Sequence, residues 1–186
     1  KYQIIDATMV CFMTMNALDT ANLNNRAHDL LRDAILSAEF APGTRVNVGQ
    51  IADQLGVSQT PVKDALNRLA AEGLVTILPR KGTFVSSFDW RDLEELLDVR
   101  RVLELRACEL AVDRITDTEI EQMGKILEEI RHVASRDGSD GYRKDRISKD
   151  VAFHRVLVSA AGNRRLAEMW EAVHAHVLVA RATYPL

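Results

Sequence analysis

Apolar positions recur at helical rather than strand spacing over most of the chain. From Asn24 onward, Ala27, Leu30, Leu31, Ala34, Ile35 and Ala38 follow intervals of three and four residues, which draws one apolar helix face. Pro42-Gly43 ends that pattern, because the pair favours a turn and cannot continue a helix. A second helix is predicted over Val48 to Leu55, with Ile51, Ala52 and Leu55 inward and Gly56 as its stop. Ser58 suits the N-cap of a third helix, whose buried face is Val62, Leu66 and Leu69 and which ends at Gly73. The spacing then changes. Leu74 to Leu78 and Thr83 to Ser86 read as strands, and Pro79-Arg80-Lys81-Gly82 between them reads as a hairpin tip.

Everything from Asp89 onward is helical in pattern. Leu93, Leu96, Leu97, Val99, Val102, Leu103, Leu105, Ala107 and Leu110 line one long helix, and Ile120, Met123, Ile126, Leu127 and Ile130 stripe the next, over Thr116 to His132. The polar run from Ser135 to Gly141 is the best loop signal in the chain. Two further helices are predicted over residues 145–161 and 165–183, divided by Gly162-Asn163. The fold class expected is mainly α: a winged helix-turn-helix of three helices plus a two-stranded wing, followed by an all-α helical bundle. Its parts are an extension of unknown role at 1–21, the winged helix at 22–88 and the bundle at 89–186. The short apolar cluster Met9 to Met15 follows Asp6 and is too short for a secretory signal.

Composition changes this picture in two places. The 186 residues carry 24 Lys+Arg against 27 Asp+Glu, a formal net charge of −3, which argues against a basic nucleic-acid footprint. Divided along the chain, however, residues 22–90 hold seven basic and seven acidic residues, so a cationic surface there depends on local placement. The two cysteines, Cys11 and Cys108, form no disulfide framework or zinc motif and point to a reducing, cytoplasmic setting. No apolar run reaches the roughly 18 residues that span a bilayer.

Three short helices with a tight turn and a wing have a well-defined physical use. The third helix fits the major groove, its first residues meet base edges, and the wing tip meets backbone or minor groove. The residues in those places are Ser58, Gln59, Thr60 and Lys63 on the helix, Arg68 further along, and Arg80, Lys81 and Gly82 at the wing tip. All but glycine can hydrogen-bond bases or phosphates, and Gly82 lets the backbone approach closely.

The runs Pro42-Gly43-Thr44-Arg45-Val46, Ile51 to Leu66 and Leu69 to Val75, with the wing from Pro79 to Val85, resemble the GntR family of bacterial transcription regulators. Asp98 to Glu104, Asp150 to Leu157 and Ser159 to Leu166 resemble the FCD ligand-binding domain of its FadR-like branch. The resemblance implies a cytoplasmic regulator that reads a near-palindromic operator as a homodimer and responds to a small carboxylate effector. It also implies that residues 89–186 are an FCD domain lacking its last helices. Three positions depart from the family's pattern. Gln59 and Lys63 stand where arginines are usual, and Gly49 stands where a further DNA-contacting arginine is usual. Lysine lacks the fork that reads guanine bidentately, and glutamine suits adenine.

Asp150 and His154 lie four residues apart on a predicted helix, so both emerge from one face. The spacing allows them to share a divalent cation, and an ion pair is the default alternative. The FCD resemblance implies a zinc- or nickel-class metal held by this Asp and His with two later histidines, which fall past Leu186. His174 and His176 do not occupy those ligand positions and read as core or surface residues. Arg100 matches the arginine of the family's R-x-x-L-E pattern. It either faces the effector cavity, pairing with a carboxylate, or bonds Glu104 one turn on. Asn163 caps the following helix or lines the pocket.

Two rival readings remain. A helical metal-dependent enzyme with an accessory winged helix needs a full metal site and a general base, and only two ligands can be named. No Ser-His-Asp arrangement, Gly-rich phosphate loop or H-E-x-x-H occurs. A protein-binding winged-helix adaptor shares the fold but not the salt-dependent DNA affinity.

Overall fold

The computed structural model describes residues 20–134 and 140–184. It divides between Ser86 and Ser87 into two units. The first holds α1 (Thr20–Leu36), β1 (Arg45–Val46), α2 (Val48–Leu55), α3 (Gln59–Ala71), β2 (Val75–Leu78) and β3 (Gly82–Val85). The second holds α4 (Trp90–Ala111), α5 (Asp117–Ala134), α6 (Asp140–Ala160) and α7 (Arg164–Thr183). The mainly helical reading, with a winged helix before a helical unit, holds.

In the first unit α1 packs along α3. Ala27, Leu31 and Ile35 from α1 and Val62, Ala65, Leu66 and Leu69 from α3 are all buried, joined by Ile51 and Ala52 of α2. Asn47 caps α2 through its side-chain oxygen, which accepts from Gln50 N at 3.2 Å. Gly56 ends α2 in the left-handed region at φ 65, where a Cβ would be disfavoured. Ser58 occupies the N-cap of α3 as expected, but its hydroxyl makes no capping hydrogen bond. A buried histidine that the apolar pattern does not signal clamps the unit: His28 Nε2 lies 2.6 Å from Glu72 Oε1, at the end of α3.

The wing has three strands, not two. β1 adds to β3 on the side away from β2, so the antiparallel order is β1-β3-β2, with Arg45 opposite Phe84 and Val46 opposite Thr83. A two-residue strand is too short to show alternation, so nothing in the pattern announces it. Its neighbours hold it through Val85 N to Thr44 O at 2.9 Å and Gly43 N to Val85 O at 3.0 Å.

In the second unit α4 opens on a capping box: Asp92 N donates to Asp89 Oδ1 and Asp89 N to Asp92 Oδ2, each at 2.8 Å. Leu93 packs with Val177 and Ala180 of α7, and further along Ala107 meets Val158, Ala161, Leu166 and Trp170. α6 begins at Asp140, five residues before its expected start, so the end of the predicted 135–141 loop is helical. Residues 135–139 lie outside the described residues, as does the 1–19 part of the extension. Gly141 costs a helix about 1 kcal/mol, which packing of α6 along α5 outweighs.

Candidate functional site

The exposed start of α3 follows from the turn before it. The left-handed Gly56 redirects the chain, and Ser58, Gln59 and Thr60 emerge exposed, with Lys63 one turn later on the outer side. The buried side of the same helix is apolar throughout, so these polar residues are left for solvent or a partner. A Cβ at Gly49 would lie 3.7 Å from Gln59 Nε2 and 3.5 Å from Asn47 Oδ1, which places the Gln59 amide beside the start of α2. Arg68 is exposed, with one guanidinium nitrogen donating to Asn25 Oδ1 of α1 at 2.9 Å.

The wing tip is built from a turn closed by Lys81 N to Leu78 O at 3.1 Å. Pro79 sits second in it and Arg80 third, at φ 63. That third position normally takes glycine, so a bulky cation there is held against its conformational preference. Gly82 follows at φ 116.

The second unit gathers a different set. Arg100 of α4 is buried, and its Nε donates to Glu104 Oε1 at 2.6 Å. Glu104 also accepts from Trp170 Nε1 of α7 at 2.9 Å, and the Arg100 guanidinium carbon lies 5.8 Å from the Trp170 ring centroid. From α6, His154 sits between two carboxylates: Nδ1 is 3.1 Å from Glu104 Oε1, without hydrogen-bond alignment, and Nε2 is 3.6 Å from Asp150 Oδ1. Asp150 Oδ2 lies 3.8 Å from Arg100 and 3.9 Å from Arg181 of α7. His174 is buried against Trp170, and neither of its ring nitrogens has a hydrogen-bond partner.

Charge follows this geometry. Burial raises the Glu104 carboxyl, but His154, Arg100 and Trp170 outweigh it and hold it at about 2. Asp150, then Glu104, lift His154 to about 9 against burial. Asp150 is held below the usual carboxylate range, chiefly by His154. His174 has no acidic neighbour close enough to compensate, and burial takes it down to about 4.

The structure therefore brings Arg100, Asp150 and His154 together, and adds Glu104, Trp170, His174 and Arg181, which sequence reasoning did not assign to the site. Of the two alternatives for Arg100, the structure makes the bond to Glu104, and the guanidinium also lies 3.8 Å from Asp150 across the helices. Asn163 is exposed and caps α7, its side chain accepting from Leu166 N at 3.2 Å. His176 is half-buried against Phe88, their ring centroids 5.4 Å apart. As a metal site the cluster is incomplete. Asp150 and His154 offer two donors, and among the described residues no three His, Cys, Asp or Glu side chains converge to hold an ion.

Two family profiles match this chain, bacterial regulatory proteins of the gntR family over residues 23–85 and the FCD domain over residues 95–185. The Nta operon transcriptional regulator of Aminobacter aminovorans is 35% identical over 146 residues, covering 78% of this chain and 67% of that protein. The chain belongs to the GntR family. It is also 31% identical over 147 residues to the transcriptional regulator YdhC of Bacillus subtilis, covering 79% of this chain and 64% of YdhC. The chain thus spans about two thirds of the length of these two relatives. In three dimensions it superposes on Escherichia coli McbR/YncC with a TM-score of 0.71 at 25% identity, over 84% of this chain and 72% of that one. The family and the relatives it matches are transcriptional regulators rather than enzymes, which removes the metal-dependent enzyme alternative. No helix among the described residues is long and apolar enough to cross a membrane.

Proposed function

We propose that this GntR-family chain is a cytoplasmic, sequence-specific DNA-binding regulator that reads a near-palindromic operator as a homodimer. The observation that carries this reading is the exposed polar start of α3, set beside a wing whose tip holds Arg80 and Lys81 with no acidic partner among the described residues. Ser58, Gln59, Thr60 and Lys63 serve as the base- and phosphate-contacting edge. Arg80, Lys81 and the Gly82 backbone meet the adjacent strand, with Arg68 offering its remaining donors to a phosphate. A homodimer matches the symmetry of such an operator, since one recognition helix covers one half-site and a two-fold axis supplies the second.

The second unit is the effector site in this reading. Arg100 and Arg181 face one carboxylate, Asp150, and a small organic acid arriving there would find two guanidinium groups already in place. Asn163 reaches an effector only if its cap on α7 is given up. A zinc- or nickel-class metal would be held by Asp150 and His154 together with further ligands, and would polarise a bound carboxylate. An effector can change DNA affinity only through its differential affinity for two arrangements of the protein.

Titration of the chain with duplex from its own upstream region, repeated across salt concentrations, tests the reading. Affinity that falls steeply with salt is expected, because bound phosphates displace counterions. Absence of binding at low salt overturns it.

A further inference from the structure

Arg45 lies on β1, a strand the sequence pattern does not reveal, and its side chain makes no hydrogen bond or ion pair among the described residues. Its strand neighbour Val46 is buried while Arg45 is exposed, as alternation along a strand requires. Pairing of β1 with β3 sets Arg45 opposite Phe84 and brings its side chain along the wing to Gly82. There the guanidinium lies across the glycine: a Cβ on Gly82 would come within 2.9 Å of Nε, 3.4 Å of one terminal nitrogen and 3.6 Å of Cζ. Gly82 is thus needed bare for two reasons, its φ of 116 and the arginine laid over it.

The placement is unusual for a solvated surface charge. Two arginines of this unit, Arg32 and Arg68, are tied to protein groups, Glu72 and Asn25. Arg45, laid over Gly82, and Arg80 and Lys81, the two residues before that glycine, have no acidic partner among the described residues. Gathering three cations costs repulsion, which a polyanion bound at the tip would reverse. Arg80 additionally holds a left-handed conformation that a non-glycine residue adopts at a cost.

We infer that Arg45 is a phosphate-binding residue, the third cation of a clamp with Arg80 and Lys81 that grips the DNA backbone at the wing. The inference rests on the DNA-binding reading above.

The test measures binding of the full chain to a random-sequence duplex across salt, for wild type, Arg45→Gln and Arg45→Lys. Random sequence isolates the phosphate contribution from base reading. Wild type is expected to bind with a steep slope of log affinity against log salt. Arg45→Gln should flatten that slope by about 0.9 and weaken binding about tenfold at about 0.1 M salt. Arg45→Lys, which keeps the charge, should retain the wild-type slope. An unchanged slope and affinity in Arg45→Gln overturns the inference and leaves the DNA-binding reading intact. No binding by wild type overturns both. Should Arg45→Gln fail to fold by circular dichroism, Arg45→Met decides in its place in the same salt titration: a slope flattened by about 0.9 supports the clamp, and a wild-type slope overturns it.

Discussion

The His174 imidazole lies flat on the Trp170 indole, with ring centroids 4.7 Å apart and planes 3° from parallel. Stacking at this distance positions the ring but satisfies neither nitrogen, and burial holds His174 neutral down to about pH 4. In the unfolded chain a histidine titrates near 6.5. Between those values the unfolded state takes up a proton that the folded state refuses. Stability is therefore complete above about pH 6.5 and falls as pH drops toward 4, by up to about 1.4 kcal/mol per pH unit. His174→Phe keeps the stack and removes the titration. Relative to wild type it should gain about 2 kcal/mol on going from about pH 7.5 to about pH 5. Both tryptophans, Trp90 and Trp170, lie in the second unit, so urea unfolding followed by tryptophan fluorescence reads this unit alone.

Removing Arg100 should be more damaging. Glu104 is held ionised by Arg100, Trp170 and His154, and Arg100→Met deletes the shortest of its hydrogen bonds while keeping much of the packing volume. A buried charge left short of its partner costs about 3–5 kcal/mol. The same fluorescence-monitored unfolding should show a loss of that size. The double variant Arg100→Met with Glu104→Gln should recover part of it, since the carboxylate left without its guanidinium is then gone. A double variant as unstable as the single one would show that the loss is one of packing.

At the wing tip, stability and DNA affinity should move in opposite directions. Arg80 occupies the left-handed region, where asparagine is tolerated far better than a long cationic side chain. Arg80→Asn is expected to stabilise the first unit by about 0.5–1 kcal/mol and to weaken duplex binding several-fold. Thermal melting of the first unit by circular dichroism, alongside a salt titration, would check both signs.

Gly49 offers a gain rather than a loss. Its φ is not in the left-handed region, and a Cβ there meets Asn47 and Gln59 only at ordinary contact distances, so a side chain is accommodated. Gly49→Arg adds a cation beside Gln59 at the start of α2. It should steepen the salt dependence by about 0.9 and raise affinity at low salt. Lys63→Ala should flatten it by a similar amount. Equal slopes in all three proteins would remove both positions from the DNA-facing surface.

Local rules made much of this protein legible. The apolar spacing of Val62, Leu66 and Leu69 identified α3 and, by exclusion, the polar residues its outer face presents. Gly56 and the Pro79 to Gly82 run marked the two turns that aim that face and the wing. The four-residue step from Asp150 to His154 placed both on one side of α6. Each of these is set by neighbours in the chain, through helical period, turn conformation or cap chemistry.

What the sequence could not disclose depends on which element lies beside which. β1 exists only because β3 offers it a hydrogen-bonding edge, so the contact of Arg45 with Gly82 is a property of sheet register. Trp170, His174 and Arg181 carry no motif, and Glu104 is legible only as a partner for Arg100 one turn away. They meet Arg100, Asp150 and His154 because α4, α6 and α7 pack against one another through Ala107, Val158 and Leu166. The sequence by itself determined the elements and their apolar faces, since these follow from short-range periodicity. Only the tertiary structure decided which charges share a low-dielectric space, because that depends on helix packing between residues up to 81 positions apart, as Arg100 and Arg181 are.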